Sequence, residues 1–219
     1  MSRLQFYSYF RSSASFRVRI ALNLKNIPYD YHAVHLLKDG GEQHHASYRE
    51  LNPMGEVPAI VDEGFVLSQS MAILLYLDDK FPQPRLFPEA PQGRARVVQL
   101  CENINSGIQP LQNLKVFHEL EQRYGVDQAG KESWAQLWIA NGFSSLEKQL
   151  AATAGTYAMG GEITAVDLYI VPQVFTSRRL KVDLSPYPII NRITEACMRL
   201  NAFKRAEPGV QPDTPKEGQ

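Results

Sequence analysis

The chain has 219 residues, and its 23 Lys plus Arg balance its 23 Asp plus Glu to a formal charge of zero. A neutral protein gains no general attraction to nucleic acid or an anionic membrane, so an anionic ligand must be held by local arginines or helix ends. The length suits one large domain or two small ones, and no apolar run approaches the roughly 20 residues that a membrane-spanning helix needs.

Arg3 has no apolar stretch behind it, which argues against a secretory leader. Cys101 and Cys197 stand far apart, outside any Cys-x-x-Cys or metal spacing. Two buried thiols in a reduced, cytoplasmic compartment are the expectation.

In chain order, residues 4–9 read as a strand and residues 13–26 as a helix, with Phe16, Ile20 and Leu24 repeating at four and Val18, Ala21 and Leu22 filling the flank. Arg17 and Arg19 are expected at the surface of that helix or in salt bridges. Pro28 ends it. Residues 29–34 form a second strand, and the polar stretch 38–50, with Gly40 and Gly41, holds a short helix. Residues 57–61 and 65–67 are short strands joined by the tight turn Asp62-Glu63-Gly64. Ser68-Gln69-Ser70 opens a helix that runs to about residue 80. The order βαβ then ββα packs most economically as a four-stranded mixed sheet with helices on both faces, a thioredoxin-like arrangement. The absence of Cys-x-x-Cys excludes electron transfer through the chain's own thiols.

Pro82, Pro84, Pro88 and Pro91 stop helix formation and mark a linker, set at residues 84–91. Beyond it, strand signals nearly vanish. Residues 92–124 read as helical with a weak point at Gln109-Pro110, and residues 131–152 as a second helix. A loop through Gly155, Gly160 and Gly161 leads to Thr164-Ala-Val-Asp167, a capping device before an apolar run that Pro172 should bend. Short helices follow at 189–200 and 202–206. The tail, residues 207–219, has little to bury and should wrap the surface or stay loose. The expected fold is therefore α+β: a thioredoxin-like domain over residues 1–83, the linker, and an all-helical domain over residues 92–219.

Three junctions could carry chemistry. At Ser12-Ser13 hydroxyls end the first strand and open a helix whose first turn has free N–H groups and a dipole favouring negative charge. A phosphate or a thiolate would suit it, but without a Gly-rich loop and Lys-Ser pair it is no P-loop. Pro58, in Glu56-Val57-Pro58, implies an edge, a bulge or a cis bond. A cis bond would leave the Val57 N–H and C=O free for an extended peptide; the alternative is a strand that begins at Ala59. Gln69-Ser70 at the next helix start suits a carboxylate, or simply caps itself. In an open α/β sheet such loops gather at one edge, where ligands bind. A thiolate, an extended backbone and a carboxylate are the three parts of glutathione. The histidines (His32, His35, His44, His45, His118) lack the acidic or cysteine partners of a metal site, and Trp134 and Trp138, at helical spacing, are expected in the core.

The run Ser12-Ser-Ala-Ser-Phe-Arg-Val-Arg-Ile-Ala-Leu22 resembles the N-terminal signature of zeta-class glutathione transferases, the maleylacetoacetate and maleylpyruvate isomerases. Asn52-Pro-Met-Gly-Glu-Val-Pro58, Gln69-Ser70, Gly107-Ile-Gln-Pro-Leu-Gln-Asn113, Pro172-Gln-Val174, Lys181-Val-Asp-Leu-Ser-Pro-Tyr-Pro188 and Gln211-Pro-Asp-Thr-Pro215 are similar to further segments of that family, in one register from about residue 4 to 215. The resemblance implies glutathione as cofactor, a homodimer, and an isomerase acting on a small dicarboxylic cis-enone by reversible addition of the thiolate to its double bond. It places Ser12, with Ser13 beside it, at the glutathione sulfur, and Arg11 and Arg179 on the substrate carboxylates. Gln69 and Ser70 would take the γ-glutamyl end, Val57 the cysteinyl backbone and Gln109 the glycyl end, with Pro58 and Asn113 also among the glutathione-binding residues and Lys38 and Gln43 as additional contacts. Ala14 departs from the Cys that maleylacetoacetate isomerases commonly carry there. That leaves the acid open between maleylacetoacetate, toward which Gln-Pro-Leu-Gln-Asn leans, and maleylpyruvate. A transferase that consumes glutathione, for example on haloacids, and a non-catalytic binding protein on the same fold are the competing readings.

Overall fold

The computed structural model describes residues 3–216. Its contacts divide the chain into two units: Met1–Arg85 with Met198–Gln219, and Leu86–Cys197.

The first unit is built on a four-stranded sheet in the order β2-β1-β3-β4, with β1 at Leu4–Ser8, β2 at Tyr29–Ala33, β3 at Ala59–Asp62 and β4 at Phe65–Ser68. β1 runs parallel to β2 and antiparallel to β3, and β3 pairs antiparallel with β4. In β1 the period of two buries Leu4, Phe6 and Ser8 while Gln5 stays exposed. Helix α1 spans Ser13–Leu24, α2 Ala46–Leu51 and α3 Ser70–Lys80. The polar stretch before α2 contains two single 3₁₀ turns, Lys38–Gly40 and Glu42–His44.

Two expectations about this unit are corrected. Arg17 and Arg19 are not at the surface; they are 1% and 0% exposed. Helix α1 packs on α3 and on α9 (Asn201–Lys204), so polar positions that face away from one neighbour meet another. Arg19 answers burial with four acceptors: the carbonyls of Ala206 (2.8 Å), Phe10 (2.9 Å) and Tyr9 (3.4 Å), and Ser8 Oγ (3.2 Å). The second correction is to the tail. Residues 198–216 group with the sheet unit rather than the helical one; of the two expectations for the tail, wrapping and looseness, the described part wraps. Pro208 and Gln211 are buried, and Asp213 accepts hydrogen bonds from the Phe10 N–H and the Tyr31 hydroxyl. Residues 217–219 lie outside the described residues.

Lys25, also buried, fills its three donors with Asp78 Oδ1 (2.8 Å) and the carbonyls of Phe81 (2.7 Å) and Pro84 (2.6 Å). This ties the start of the proline-rich segment to α1 and α3.

The second unit holds α4 (Pro91–Asn105), a 3₁₀ turn (Gln109–Gln112), α5 (Leu114–Tyr124), α6 (Gln128–Leu150), α7 (Ala165–Arg179) and α8 (Pro188–Met198), the last residue of which falls in the first unit. The expected weak point at Gln109-Pro110 is a full break: Pro110 has no N–H to give, and Asn113 caps a new helix by accepting the Lys115 N–H (3.2 Å). Helix α7 is buried along nearly its whole length and runs on through Pro172 as one element. Gly142 of α6 admits Ile108, whose side chain would lie 2.3 Å from any Cβ there. Cys101 and Cys197 are buried thiols, neither in a disulfide. Trp134 and Trp138 are only partly buried, stacked edge to face at 5.7 Å.

The capping device at Thr164 is present. The carboxylate of Asp167 accepts the N–H groups of Thr164 and Ala158, both at 2.8 Å. Burial pushes its carboxyl up to about 6, against the pull of those hydrogen bonds. Replacing Asp167 by Ala orphans two donors in the interior, each costing about 1–3 kcal/mol. A loss of about 3–5 kcal/mol in urea denaturation is expected. Because the folded carboxyl holds its proton where the unfolded one has released it, this group's contribution is full below about pH 4 and fades as pH rises through 6. Stability of the native chain should therefore fall, relative to a non-titrating Asp167→Asn variant, between pH 4.5 and pH 7.

Candidate active site

Strand registers bring the three junctions together. Tyr7 pairs with Ala59, and Ala59 with Ser68. The end of β1, the start of β3 and the end of β4 thus share one edge of the sheet, and the parallel partner β2 ends there too, Ser8 opposite Ala33. The segments that leave this edge carry Arg11, Ser12 and Ser13; Lys38 and Gln43; Val57 and Pro58; and Gln69 and Ser70.

The turn after β1 closes with the Ser12 N–H on the Tyr9 carbonyl (3.0 Å). Ser12 is the N-cap of α1, its Oγ accepting the Ser15 N–H at 3.1 Å. That acceptance uses one lone pair and leaves the hydroxyl proton to be donated elsewhere. Capping and anion binding are thus compatible at this residue. The first turn of α1 has no acidic residue, so nothing opposes the helix dipole. Arg11 is exposed, its guanidinium 5.6 Å above the Phe10 ring. Ser15, which sequence reasoning passed over, is fully buried, and its hydroxyl has no partner among the described residues.

At the second junction the Val57–Pro58 peptide is cis and β3 begins at Ala59, so both features expected as alternatives occur together. Neither the N–H nor the C=O of Val57 has a hydrogen-bond partner among the described residues. The preceding carbonyl, of Glu56, is fixed by the Tyr48 hydroxyl and the Asn52 amide, both at 2.7 Å. Burial is the main reason the Tyr48 phenol is held well above its ordinary range, so it stays a donor. Val57 itself packs with Tyr9, Phe10, Val34 and Tyr48, which couples this loop to the Ser12 turn.

The third junction is strained. Gln69 has φ 72° and ψ 118°, a conformation that L-residues avoid. Its side chain makes no capping bond, so the first turn of α3 keeps N–H groups for an outside acceptor. Ser70 is buried and its Oγ accepts from Arg17 Nη1 at 3.0 Å. A buried guanidinium thus stands behind the helix start expected to hold a carboxylate.

Gln43 is buried, with Nε2 on the Leu36 carbonyl (3.3 Å) and against His44 (3.1 Å); its Oε1 has no partner among the described residues. Lys38 is exposed. Gly41 is needed here: φ is 102°, and a Cβ would lie 2.5 Å from the Gln43 amide.

Gln109, Asn113 and Arg179 belong to the helical unit. Gln109 opens the 3₁₀ turn, Asn113 uses its Oδ1 on the α5 cap, and Arg179 is the exposed last residue of α7. The turn is held against α7 by a reciprocal amide pair, Gln112 Nε2 to Gln173 Oε1 at 2.8 Å and Gln173 Nε2 to Gln112 Oε1 at 3.3 Å. Trp134 donates to the Leu111 carbonyl at 2.8 Å. No group of His, Cys, Asp and Glu among the described residues could hold a metal.

A hydroxyl proton left over at a helix start, an unpaired backbone pair and a second uncapped helix start thus lie on one edge of the thioredoxin-like sheet. Residues 11–80 match the glutathione S-transferase N-terminal domain. A probable maleylacetoacetate isomerase 2 of Drosophila melanogaster is 50% identical over 211 residues, 96% of this chain and 90% of that protein. The holo structure of a bacterial maleylpyruvate isomerase, a zeta-class glutathione S-transferase, superposes with TM-score 0.93 at 41% identity, covering 96% of this chain and 100% of that one. A maleylacetoacetate isomerase from Anaeromyxobacter dehalogenans, solved with bound GSH in its active site, gives TM-score 0.86 at 42% identity over 97% of this chain and 98% of that one. The chain belongs to the zeta class of glutathione transferases, the family of the maleylacetoacetate and maleylpyruvate isomerases.

The strain at Gln69 supplies a test independent of any ligand. A glycine there relieves about 1–3 kcal/mol of backbone strain and forfeits about 0.5–1 kcal/mol of chain entropy. Gln69→Gly should raise stability in urea by about 1 kcal/mol; a drop would mean that the Gln69 side chain stabilises the free protein.

Proposed function

We propose that the protein is a glutathione-dependent cis–trans isomerase that converts maleylacetoacetate to fumarylacetoacetate, with glutathione as a cofactor that is regenerated. The observation that carries this is the Ser12 hydroxyl, which caps α1 as an acceptor and still has a proton to donate, beside the unpaired Val57 backbone and the uncapped start of α3. The residues fit glutathione part by part: Ser12 the sulfur, the Val57 N–H and C=O the cysteinyl backbone, Gln69 and Ser70 with the α3 N–H groups the γ-glutamyl carboxylate. Lys38 and Gln43, and Gln109 and Asn113 of the helical unit, serve its remaining polar ends. Bound glutathione supplies a thiolate that adds reversibly to the substrate's cis double bond and so permits rotation.

The chain's own task is to keep that sulfur charged and the substrate still. A free thiol titrates near pH 8.5, and lowering it by about two units takes roughly 2.7 kcal/mol. A helix N-terminus contributes about 0.3–1 kcal/mol, up to about 2 when sheltered. A hydrogen bond to a charged acceptor contributes about 1.5–3 kcal/mol. The dipole of α1 falls short alone, so Ser12 is the main contributor, with Ser13 as its neighbour in the first turn. Arg11 and Arg179 hold the two carboxylates and spread the charge that the carbonyl gains.

Maleylpyruvate isomerisation is the second reading, favoured by Ala14 and by the likeness to a maleylpyruvate isomerase. A homodimer is supported by Phe65 and Val66, 50% and 43% exposed on the edge strand β4, an apolar edge that invites a partner. No helix among the described residues is long and apolar enough to cross a membrane, and we place the enzyme in the cytoplasm.

The test is to incubate the protein with each acid, with and without catalytic glutathione, and follow the enone absorbance. Turnover far beyond the glutathione present is expected, with maleylacetoacetate the faster acid. Loss limited to the glutathione added would mean conjugation instead. Ser12→Ala should lower kcat/KM by about 10–100-fold, the worth of a charge-assisted hydrogen bond; a rate within threefold of the native protein would remove Ser12 from its role.

A further inference from the structure

We propose that Asp213, near the end of the chain, is a positioning residue for the turn that carries Arg11 and Ser12, so that the C-terminal segment is part of the catalytic apparatus. The inference rests on the site reading above and concerns only the first unit.

The turn Tyr9-Phe10-Arg11-Ser12 has one internal hydrogen bond, Ser12 N–H to the Tyr9 carbonyl. Both backbone groups of Phe10 are held from outside the turn. The Phe10 N–H donates to Asp213 Oδ2 at 2.9 Å, and the Phe10 carbonyl accepts from Arg19 Nη2 at 2.9 Å. Phe10 is only 8% exposed, so its N–H has little water to turn to if Asp213 is lost. The second oxygen of Asp213 takes the Tyr31 hydroxyl at 2.6 Å, fixing the carboxylate against β2.

The segment that presents Asp213 is itself rigidly tied. Arg19 Nε donates to the Ala206 carbonyl (2.8 Å). Gln211, buried, donates to the carbonyls of Arg205 (2.9 Å) and Glu207 (2.7 Å), and the Thr214 N–H reaches the Gln211 carbonyl (3.1 Å). Arg19 therefore grips the turn and the tail at once, and Asp213 closes the ring from the other side. Arg11 follows Phe10 directly and lies over its ring, and Ser12 is one residue further. A displacement of Phe10 would shift both the guanidinium that holds a carboxylate and the hydroxyl that faces the sulfur. A misplacement of about 1 Å at such a group can cost 10²-fold in rate.

The experiment compares Asp213→Ala, Asp213→Asn and Asp213→Glu in the full chain. Three quantities are read: melting temperature, isomerase kcat and KM, and the pH titration of the bound glutathione thiol by its ultraviolet absorbance, which needs no substrate. Asp213→Ala should lower kcat by at least tenfold and move the thiol titration upward. Asp213→Asn, whose amide oxygen can still accept the Phe10 N–H, should recover to within about threefold of the native protein. A merely structural tail would lower the melting temperature of Asp213→Ala and leave kcat and the titration of the folded protein unmoved, which overturns the proposal. Should the Ala variant fail to fold, Asp213→Glu decides: a carboxylate set one methylene further should cost at least fivefold in kcat, and an unchanged kcat overturns the proposal. If the native protein isomerises neither acid, the isomerase reading fails on its own, and the thiol titration of Asp213→Ala against native still rules for or against the strap.

Discussion

A guanidinium without exposed surface must find acceptors for its donors, and the way Arg19 does so governs the first unit. Burial pushes it down to about 10, with Tyr31, Tyr29 and Asp213 acting in the opposite sense, so it stays cationic at pH 7. A hydrogen bond to a charged group contributes about 1.5–3 kcal/mol, so the surroundings of Arg19 are not free to rearrange. Its acceptors are Ser8 of β1, Tyr9 and Phe10 of the turn, and Ala206 of the C-terminal segment. One side chain of α1 thereby fixes the end of the central strand, the turn before its own helix and the path of a segment almost two hundred residues later. The Ser12 cap is placed by these contacts as much as by the local preference of Ser for a helix start.

The site is made mostly of main chain. The groups that the proposed site would offer are helix N–H donors at α1 and α3, and a peptide N–H donor and C=O acceptor at Val57. Backbone groups are exact in position only if what lies behind them is fixed, and at each junction a buried polar residue does this. Arg19 and Asp213 stand behind the Ser12 turn, Tyr48 and Asn52 behind Glu56-Val57, and Arg17 behind Ser70. The strain at Gln69 fits the same pattern, because a non-glycine residue at φ 72° persists only where its surroundings over-determine it.

These supports explain what could be read from the sequence and what could not. Strand and helix order, the proline-rich break and the three junctions were legible because each is a local pattern: period two in β1, apolar spacing in α1, hydroxyls at helix starts. Arg17 and Arg19 were misread because helical periodicity assigns charged positions to water, and only a helix covered on more than one side buries them. The role of Asp213 was invisible for a different reason. Its partner Phe10 is 203 residues away, and a Pro-flanked aspartate in a polar tail has no local signature of such a contact. Pro58 offered two readings that proved compatible, since a strand can begin at Ala59 behind a cis bond.

The helical unit repeats the device with neutral groups. The break after α4 leaves the stretch from Gln109 to Asn113 without continuous helix, and such a stretch would wander unless held. The Gln112–Gln173 amide pair and the Trp134 bond to Leu111 hold it. Gln173 is fully buried within α7, where an unpaired amide would cost about 1–3 kcal/mol, so each glutamine makes the other tolerable. Gln112 and Gln173 occur in two of the segments that resemble the family, and their pairing gives a physical reason for both. In each unit, then, residues in the segments that resemble the family are divided between groups that present themselves outward and groups that hold those in place from behind.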